Sequence, residues 1–543
     1  DFLGFVSLQQ TVVRGKKTTV ETPAREVPKS PVNRNSGAHP LLAFDDAKYL
    51  FGPGPWTKDR QEEDHEEKHQ AFVELIRESA RETEDEGLAA CCRFYDRPDE
   101  VAKARTAFDT KVTGGVLISV ANQGAVIDRE AVRAYWREHF HRRSDERNES
   151  GGRAMCMISG KVGPVAPTHD KVKGAARLGG QAAGVALMSF DKEAFRSYGW
   201  EKNENSPVSP ERARAYVLAL NDLMSGFQRS RVDHAGLGFL YWTKQPVLDD
   251  PIAILESADP GEVARVLKME RASLPSSDPN EFYLIGVNGN GGRMVVRHWM
   301  RNSLNDVLRN VGAWFADIRM VSVFQGGAVG DPPKFWQVLR TLARDGEPPP
   351  DRVVQLLRRA LYGIPIGRTI LAGAMQRLRG AQGSDRVDAV RVGLIRMAVN
   401  DQIQGGEGTV SECLDDGLNH AAYLCGRLLA LYDGLQYQAQ GEVGVTVADR
   451  YFSLASTNPS IAFPKIVDLG EKHLRKLRRD NRAAAIAIER ELQTVMGQLA
   501  GQEARFPGQL SLEDQGRFAI GFHQQRAASM ARARDRKEKK GEE

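Results

Sequence analysis

The sequence predicts an α+β protein: a mixed N-terminal region with small β-sheets and helices, followed by a C-terminal α-helical bundle. Three observations lead there. Short apolar runs bounded by Gly and Pro recur through residues 1–343, the pattern of strands and turns. After RDGEPPPD (344–351) the apolar residues recur at helical spacing instead. A chain of 543 residues also exceeds what one core commonly serves. The division expected is an N-terminal α+β subdomain over 1–150, a second α+β region over 151–343, a linker over 344–351 and a helical bundle over 352–543.

Composition narrows the function classes. A hydrophobic share of 41% and a mean hydropathy of −0.43 fit a soluble globular chain. No apolar run approaches the roughly 20 residues of a membrane span, and no secretory signal is visible, so a cytoplasmic location is expected. The net charge of +4 excludes a polycation and leaves local basic patches to carry any nucleic-acid contact. Cys91, Cys92, Cys156, Cys413 and Cys425 form neither a C-x-x-C pair nor an even framework, so no disulfide, metal or cofactor is expected.

In chain order, residues 1–60 read as one or two strands with extended connections, and LLAFDDAKYLFG from Leu41 as an edge strand entering the turn at Gly52–Pro55. A long helix follows, with Phe72, Val73, Leu75 and Ile76 on its apolar face. His65, Glu66 and His69 within it spell H-E-x-x-H, the zinc-protease spacing that sets two imidazoles one turn apart. Its charged surroundings favour a solvated helix start. Residues 101–140 give a helix, an apolar strand (116–121) and an aromatic helix (131–140), and HRRSDERNESGGR (141–153) reads as an exposed loop. MCMIS (155–159) reads as a strand leading towards His169-Asp170, a dyad that half-fills a metal phosphohydrolase site.

The most informative stretch is 171–224. It opens with Lys171, Lys173 and Arg177, turns at Gly179-Gly180-Gln181, and gives an apolar run, Val185–Phe190, short enough for a buried strand. A polar loop with Asn203, Asn205 and Ser206 precedes a helix begun by Ser209-Pro210-Glu211, with Ala215, Leu218, Ala219 and Met224 on one side. Small and amide residues flanked by cations suit contact with phosphates and base edges. GLGFLYW (236–242) is another strand. FYLIGV and MVVRHW form a hairpin with a mobile glycine-rich tip, where Asn288, Asn290 and Arg293 are candidate readers of a groove.

Beyond the linker, Val353, Leu356, Leu357 and Leu361 make one helical stripe. Ile466, Leu469, His473, Leu474 and Leu477 make a second, and Ile488, Leu492, Val495, Met496 and Leu499 a third. Opposite the second stripe Lys472, Arg475, Lys476, Arg478, Arg479 and Arg482 crowd against one acid, Asp480, a clustering from which phosphate neutralisation gains. The tail from Arg526 reads as a fraying helix end.

GGQAAGVALMSFDKEAFRSYG, the following SPVS and AYVLALNDL resemble the large subunit of the type I-C CRISPR surveillance complex (Cascade). EFYLIGVNGNGGRMVVRHW (281–299), DRYFSLASTNPSIAFPKIVDLGEKHLRKL (449–477) and FPGQLSLEDQGRFAIGFHQQR (506–526) resemble further blocks of that family, in order. The family's hairpin tip has a Ser-Pro-Asn character, whereas this chain has Val287-Asn288-Gly289-Asn290-Gly291-Gly292.

The resemblance implies a non-catalytic subunit that reads the protospacer-adjacent motif (PAM) in double-stranded DNA, helps part the strands and stabilises the R-loop. It implies as partners the CRISPR RNA 5′ handle, the backbone and guide-capping subunits, small subunits and a trans-acting helicase-nuclease. The hypothesis built on it assigns Lys171, Lys173 and Arg177 to phosphates, Gln181, Asn203 and Asn205 to the PAM or the wedge, residues 288–293 to a second probe, and the basic face from Lys472 to Arg482 to a channel for a displaced or target strand. The resemblance also implies that the C-terminal bundle resembles a free small subunit that can also be translated separately from an internal start, for which Met375 or Met397 is suitably placed. The competing classes are a metal-dependent nuclease using His169 and Asp170, a metalloprotease using His65 and His69, and a scaffold that contacts only protein.

Overall fold

The computed structural model describes residues 37–58, 61–109, 115–148, 152–226, 230–247, 249–271, 280–325, 327–343, 348–381, 388–403, 408–502 and 506–541, with residues 2–5, 8, 10–14, 17–21, 27, 28, 30 and 34 before them. The fold is α+β, with its small sheets in the N-terminal half and helices towards the C-terminus. Contacts group the chain into two units. One is Asp1–Asp170 with Met188–Tyr216, and the other Lys171–Leu187 with Val217–Glu543.

In the first unit, β1 (Gln10–Arg14) and β2 (Lys17–Glu21) form an antiparallel hairpin. The expected edge strand at Leu41 shrinks to β3 (Phe44–Asp45), because the chain turns at once into α1 (Ala47–Phe51), which buries Tyr49, Leu50 and Phe51. The long helix is α2 (Glu62–Thr83), burying Phe72, Leu75 and Ile76 as its spacing predicts. Next come α3 (Glu86–Tyr95) and α4 (Pro98–Ala107). Asp85 caps α3, accepting from Gly87 N at 2.8 Å and Leu88 N at 3.1 Å, and pairs with Arg129 at 2.6 Å.

The apolar stretch at 116 breaks into β4 (Val116–Leu117), β5 (Ser119–Val120) and β6 (Gly124–Ala125). The expected loop at 141–153 is corrected: α5 (Glu130–Asn148) continues through its charged half. Arg142, Arg143, Glu146 and Arg147 there are good helix formers, and Gly151 lies outside the described residues. MCMIS is strand only at its start, in β7 (Arg153–Met155), which pairs with β8 (Val162–Pro164).

Helix α6 (Pro210–Ser225) begins at Pro210 as predicted, but its inward face differs from the expected one. Ala213, Val217 and Met224 are buried, while Ala215 and Ala219 are exposed and Leu218 is 41% exposed. Two stripes on this helix are comparably apolar, and packing selects the row at 213, 217 and 224.

The second unit is built on one antiparallel sheet, ordered β12-β11-β10-β9, from β9 (Arg231–His234), β10 (Leu237–Thr243), β11 (Glu281–Asn290) and β12 (Arg293–Ser303). Helices α7 (Pro251–Ser257) and α8 (Pro260–Arg271) lie between β10 and β11. After β12, Ser303 caps α9 (Leu304–Ile318), whose apolar side includes Val307, Val311, Trp314 and Phe315. Arg396, 7% exposed, donates to the α9 C-terminal carbonyls of Ala316 (3.0 Å) and Asp317 (2.7 Å).

The helices that follow are α10 (Phe335–Arg340), α11 (Pro350–Tyr362), α12 (Arg368–Arg379), α13 (Ala389–Ile403), α14 (Ala421–Gln440), α15 (Val447–Ala455), α16 (Pro459–Asp480), α17 (Arg482–Ala500) and α18 (Leu512–Gly541). The three predicted stripes lie inward on α11, α16 and α17. Residues 344–347 of the expected linker lie outside the described residues, and Pro350 already opens α11. One core runs from Leu237 to Ala527, joining the sheet, α9 and the C-terminal helices.

α14 is buried nearly all round and crosses α18 with backbones touching: a Cβ on Gly426 would meet Phe518 O at 2.0 Å. The polar run of GFHQQR lies inside this crossing. Tyr423 donates to Gln524 Oε1 at 2.6 Å, Arg427 to Gln525 Oε1 at 3.0 Å, and His523 Nε2 to Val321 O at 2.7 Å.

Candidate nucleic-acid interface

Residues 171–187 form a loop closed by paired valines: Val172 N donates to Val185 O at 2.7 Å, and Val185 N to Val172 O at 2.8 Å. The expected buried strand over Val185–Phe190 is therefore corrected. Only Val185 and Ala186 make isolated bridges, and residues 186–190 are half-buried. Val172, Ala175 and Leu178 point inward at every third position. That spacing leaves Lys171, Lys173 and Arg177 exposed between them, with no ion pair among the described residues. Lys173 N donates to Asn221 Oδ1 at 2.7 Å, and Arg231 donates to the carbonyls of Gly174 (3.1 Å) and Met224 (2.9 Å).

This loop is bonded to the tip of the β11–β12 hairpin. Gln181 N donates to Gly291 O at 3.0 Å, Ala186 N to Gly292 O at 2.8 Å, and Met294 N to Ala186 O at 2.9 Å. The approach requires glycine, since a Cβ on Gly289 would stand 2.3 Å from Gly180 N. Gly238 accommodates Leu178 in the same way: its Cβ would lie 2.7 Å from Leu178 Cδ1.

The predicted mobile tip is reduced to a two-residue turn, Gly291-Gly292, because the strand pairing runs out to Asn290 and Arg293. Asn288 is half-buried, its Oδ1 accepting from Arg297 Nε at 3.1 Å. Asn290 and Gln181 are exposed, and Arg293 is half-buried. Lys171, Lys173, Arg177, Gln181, Asn288, Asn290 and Arg293 thus belong to the second unit, and all but Lys171 and Lys173 lie close to the docked turn or the hairpin tip.

Asn203 and Asn205 belong to the first unit. Asn203 is 1% exposed and Asn205 Nδ2 donates to Lys202 O at 3.1 Å, so Asn203 as observed does not present its amide to a groove.

The first histidine of each motif is buried and bonded within the protein. His65 is buried with Nδ1 3.0 Å from Thr57 Oγ1, and His69 Nδ1 donates to Tyr49 O at 2.9 Å, tying α2 to α1 and the turn after it. The expectation of a solvated helix start is corrected for these two rings. His169 Nδ1 lies 2.6 Å from the Tyr216 hydroxyl, and burial holds its imidazole below the ordinary value despite Asp170, which faces solvent. Among the described residues no three His, Cys, Asp or Glu side chains gather as a metal group. The five cysteines are free, and no described helix is long and apolar enough to cross a membrane.

The basic residues of α16 are all exposed. Lys472 pairs with Asp468 at 2.9 Å and Arg478 with Glu489 at 2.5 Å. Arg475, Lys476 and Arg479, with Arg482 across the corner at Asn481, have no ion pair among the described residues. Four such cations are available to phosphates, where each neutralisation releases counterions.

The family model described as CRISPR-associated protein (Cas_Csd1) matches residues 1–530. The chain belongs to the Csd1 family. The match spans both units, and it agrees with the resemblance to the type I-C Cascade large subunit. Among curated proteins no match was found. Within this Csd1 chain, sequence reasoning missed Arg297, Arg231 and Asn221, which hold the site's loops from distant positions. No local pattern announces such contacts.

Proposed function

We propose that this Csd1 chain is the non-catalytic subunit that inspects double-stranded DNA for a PAM, parts the strands and steadies the R-loop, while a recruited helicase-nuclease cuts. The observation that carries this reading is the docking of residues 179–186 on the hairpin tip. It holds the Gln181 amide beside Gly292, where a Cβ would lie 3.6 Å from Gln181 Oε1, and it leaves Lys171, Lys173 and Arg177 free for phosphates. Main-chain bonds fix such a reader before it meets DNA, so little ordering entropy opposes binding. The unpaired cations on α16 and at Arg482 suit a strand channel.

The partners in this reading are the CRISPR RNA 5′ handle, target DNA, the backbone and guide-capping subunits, and small subunits, in the cytoplasm. The test is DNA capture by the assembled particle with and without this chain. The reading expects capture of a PAM-bearing duplex to be lost on omission, and equal capture would refute it.

A further inference from the structure

The face of the sheet on which the 171–187 loop rests continues beyond it to the half-buried Trp242 and Tyr283 and the exposed Trp299. Directly paired residues share a face, so Gly238, Leu240 and Trp242 of β10 lie with Val287, Ile285 and Tyr283 of β11. Ile285 and Tyr283 in turn lie with Trp299 and Arg301 of β12. The loop covers the end of this face at Gly238 and Gly289.

At the other end Trp242 and Tyr283 stack at 5.3 Å with an interplanar angle of 8°. Trp299 lies 5.9 Å from Trp242 and 6.1 Å from Tyr283, and is 54% exposed. Cations border the rings. Arg301 stands 5.9 Å over Tyr283 and pairs with Glu281 at 2.5 Å. Lys244, which follows Trp242 by two residues, is exposed.

We propose that Trp242, Tyr283 and Trp299 form a base-stacking platform for single-stranded DNA. The inference deepens the proposed function and rests on it, by naming where unpaired bases go. Ring faces accept any base, and neighbouring cations neutralise the phosphates between successive bases. Charge complementarity favours this occupant, since Lys244 and Arg301 face one acid, Glu281. Trp299 also follows Arg293 by six residues on the same strand, about 20 Å at ~3.3 Å per residue. A strand freed at the hairpin tip has that distance to travel.

The test is titration of the full chain with oligothymidylate, followed by tryptophan fluorescence, with oligouridylate in a parallel arm. Trp299→Ala is expected to weaken oligothymidylate about tenfold, in the range for one stacked base, and to remove much of the quenching. Trp299→Phe keeps a stacking ring and most of the affinity. Arg301→Gln flattens the salt dependence with the rings intact.

Unchanged oligothymidylate affinity in Trp299→Ala would overturn the proposal, as would equal losses in the Phe and Ala variants. Tighter binding of oligouridylate would also overturn it, in favour of RNA. Duplex capture by the assembled particle is a separate measurement, so the platform can fail while the proposed function stands.

Discussion

The main-chain amide of Gln181 donates to the carbonyl of Gly291 at 3.0 Å, joining two segments more than a hundred residues apart in sequence. Because both groups are backbone, the bond fixes the position of the loop without using any side chain that could read DNA. The Gln181 amide and the three cations before it are left free for recognition.

The glycines at this junction can be probed by adding one methyl group. Gly289→Ala would drive its Cβ to 2.3 Å from Gly180 N, and an overpacked contact of this kind costs about 1–3 kcal/mol. Hydrogen exchange should show lost protection at the Gln181 and Ala186 amides. Gly292→Ala places its Cβ no closer than 3.6 Å to Gln181 Oε1, and should leave both amides protected.

His523 supplies a pH signature. Its imidazole is fully buried with Nδ1 unpartnered, and burial pushes its pKa down to about 4, against the Val321 carbonyl bond that raises it. An unfolded histidine titrates near 6.5. Between those values only the unfolded chain takes up the proton, so the contribution is full above about pH 6.5 and falls by up to about 3 kcal/mol as pH drops towards 4. Denaturation midpoints of wild type and His523→Gln, measured from pH 7 to pH 4.5, should show a shallower acid loss in the variant. Parallel curves would contradict this assignment.

The internal start is testable by size. Met375 and Met397 are buried within α12 and α13, and a product begun at Met397 would keep α14–α18 whole. Cells expressing the chain with its natural coding sequence should contain such a product, and Met397→Leu or Met375→Leu should remove it while the long chain persists. A complete complex without any short product would count against separate synthesis.

What the sequence made legible was local. Alternation in FYLIGV and MVVRHW identified the hairpin, and the stripe from Val353 to Leu361 identified the inward face of α11. The inward face of α6 was not legible, because Leu218 is more apolar than Ala213 and yet faces water. Nor was the burial of His523, Gln524 and Gln525, whose polar character suggests a surface until their partners at Val321, Tyr423 and Arg427 are in view. The same limit applied to the candidate site. Lys171, Lys173 and Arg177 stood out by composition, but Asn203 differed from Gln181 only in burial, which depends on the fold around it.

The most direct test of the central claim is the PAM preference of the assembled particle carrying Gln181→Ala, read over a library of flanking sequences at several salt concentrations beside Lys171→Ala. The account predicts that Gln181→Ala relaxes discrimination at one or more flanking base pairs, whereas Lys171→Ala weakens every target alike and lowers the salt slope by about one. A Gln181→Ala particle that ranks all flanking sequences as the wild type does would contradict it.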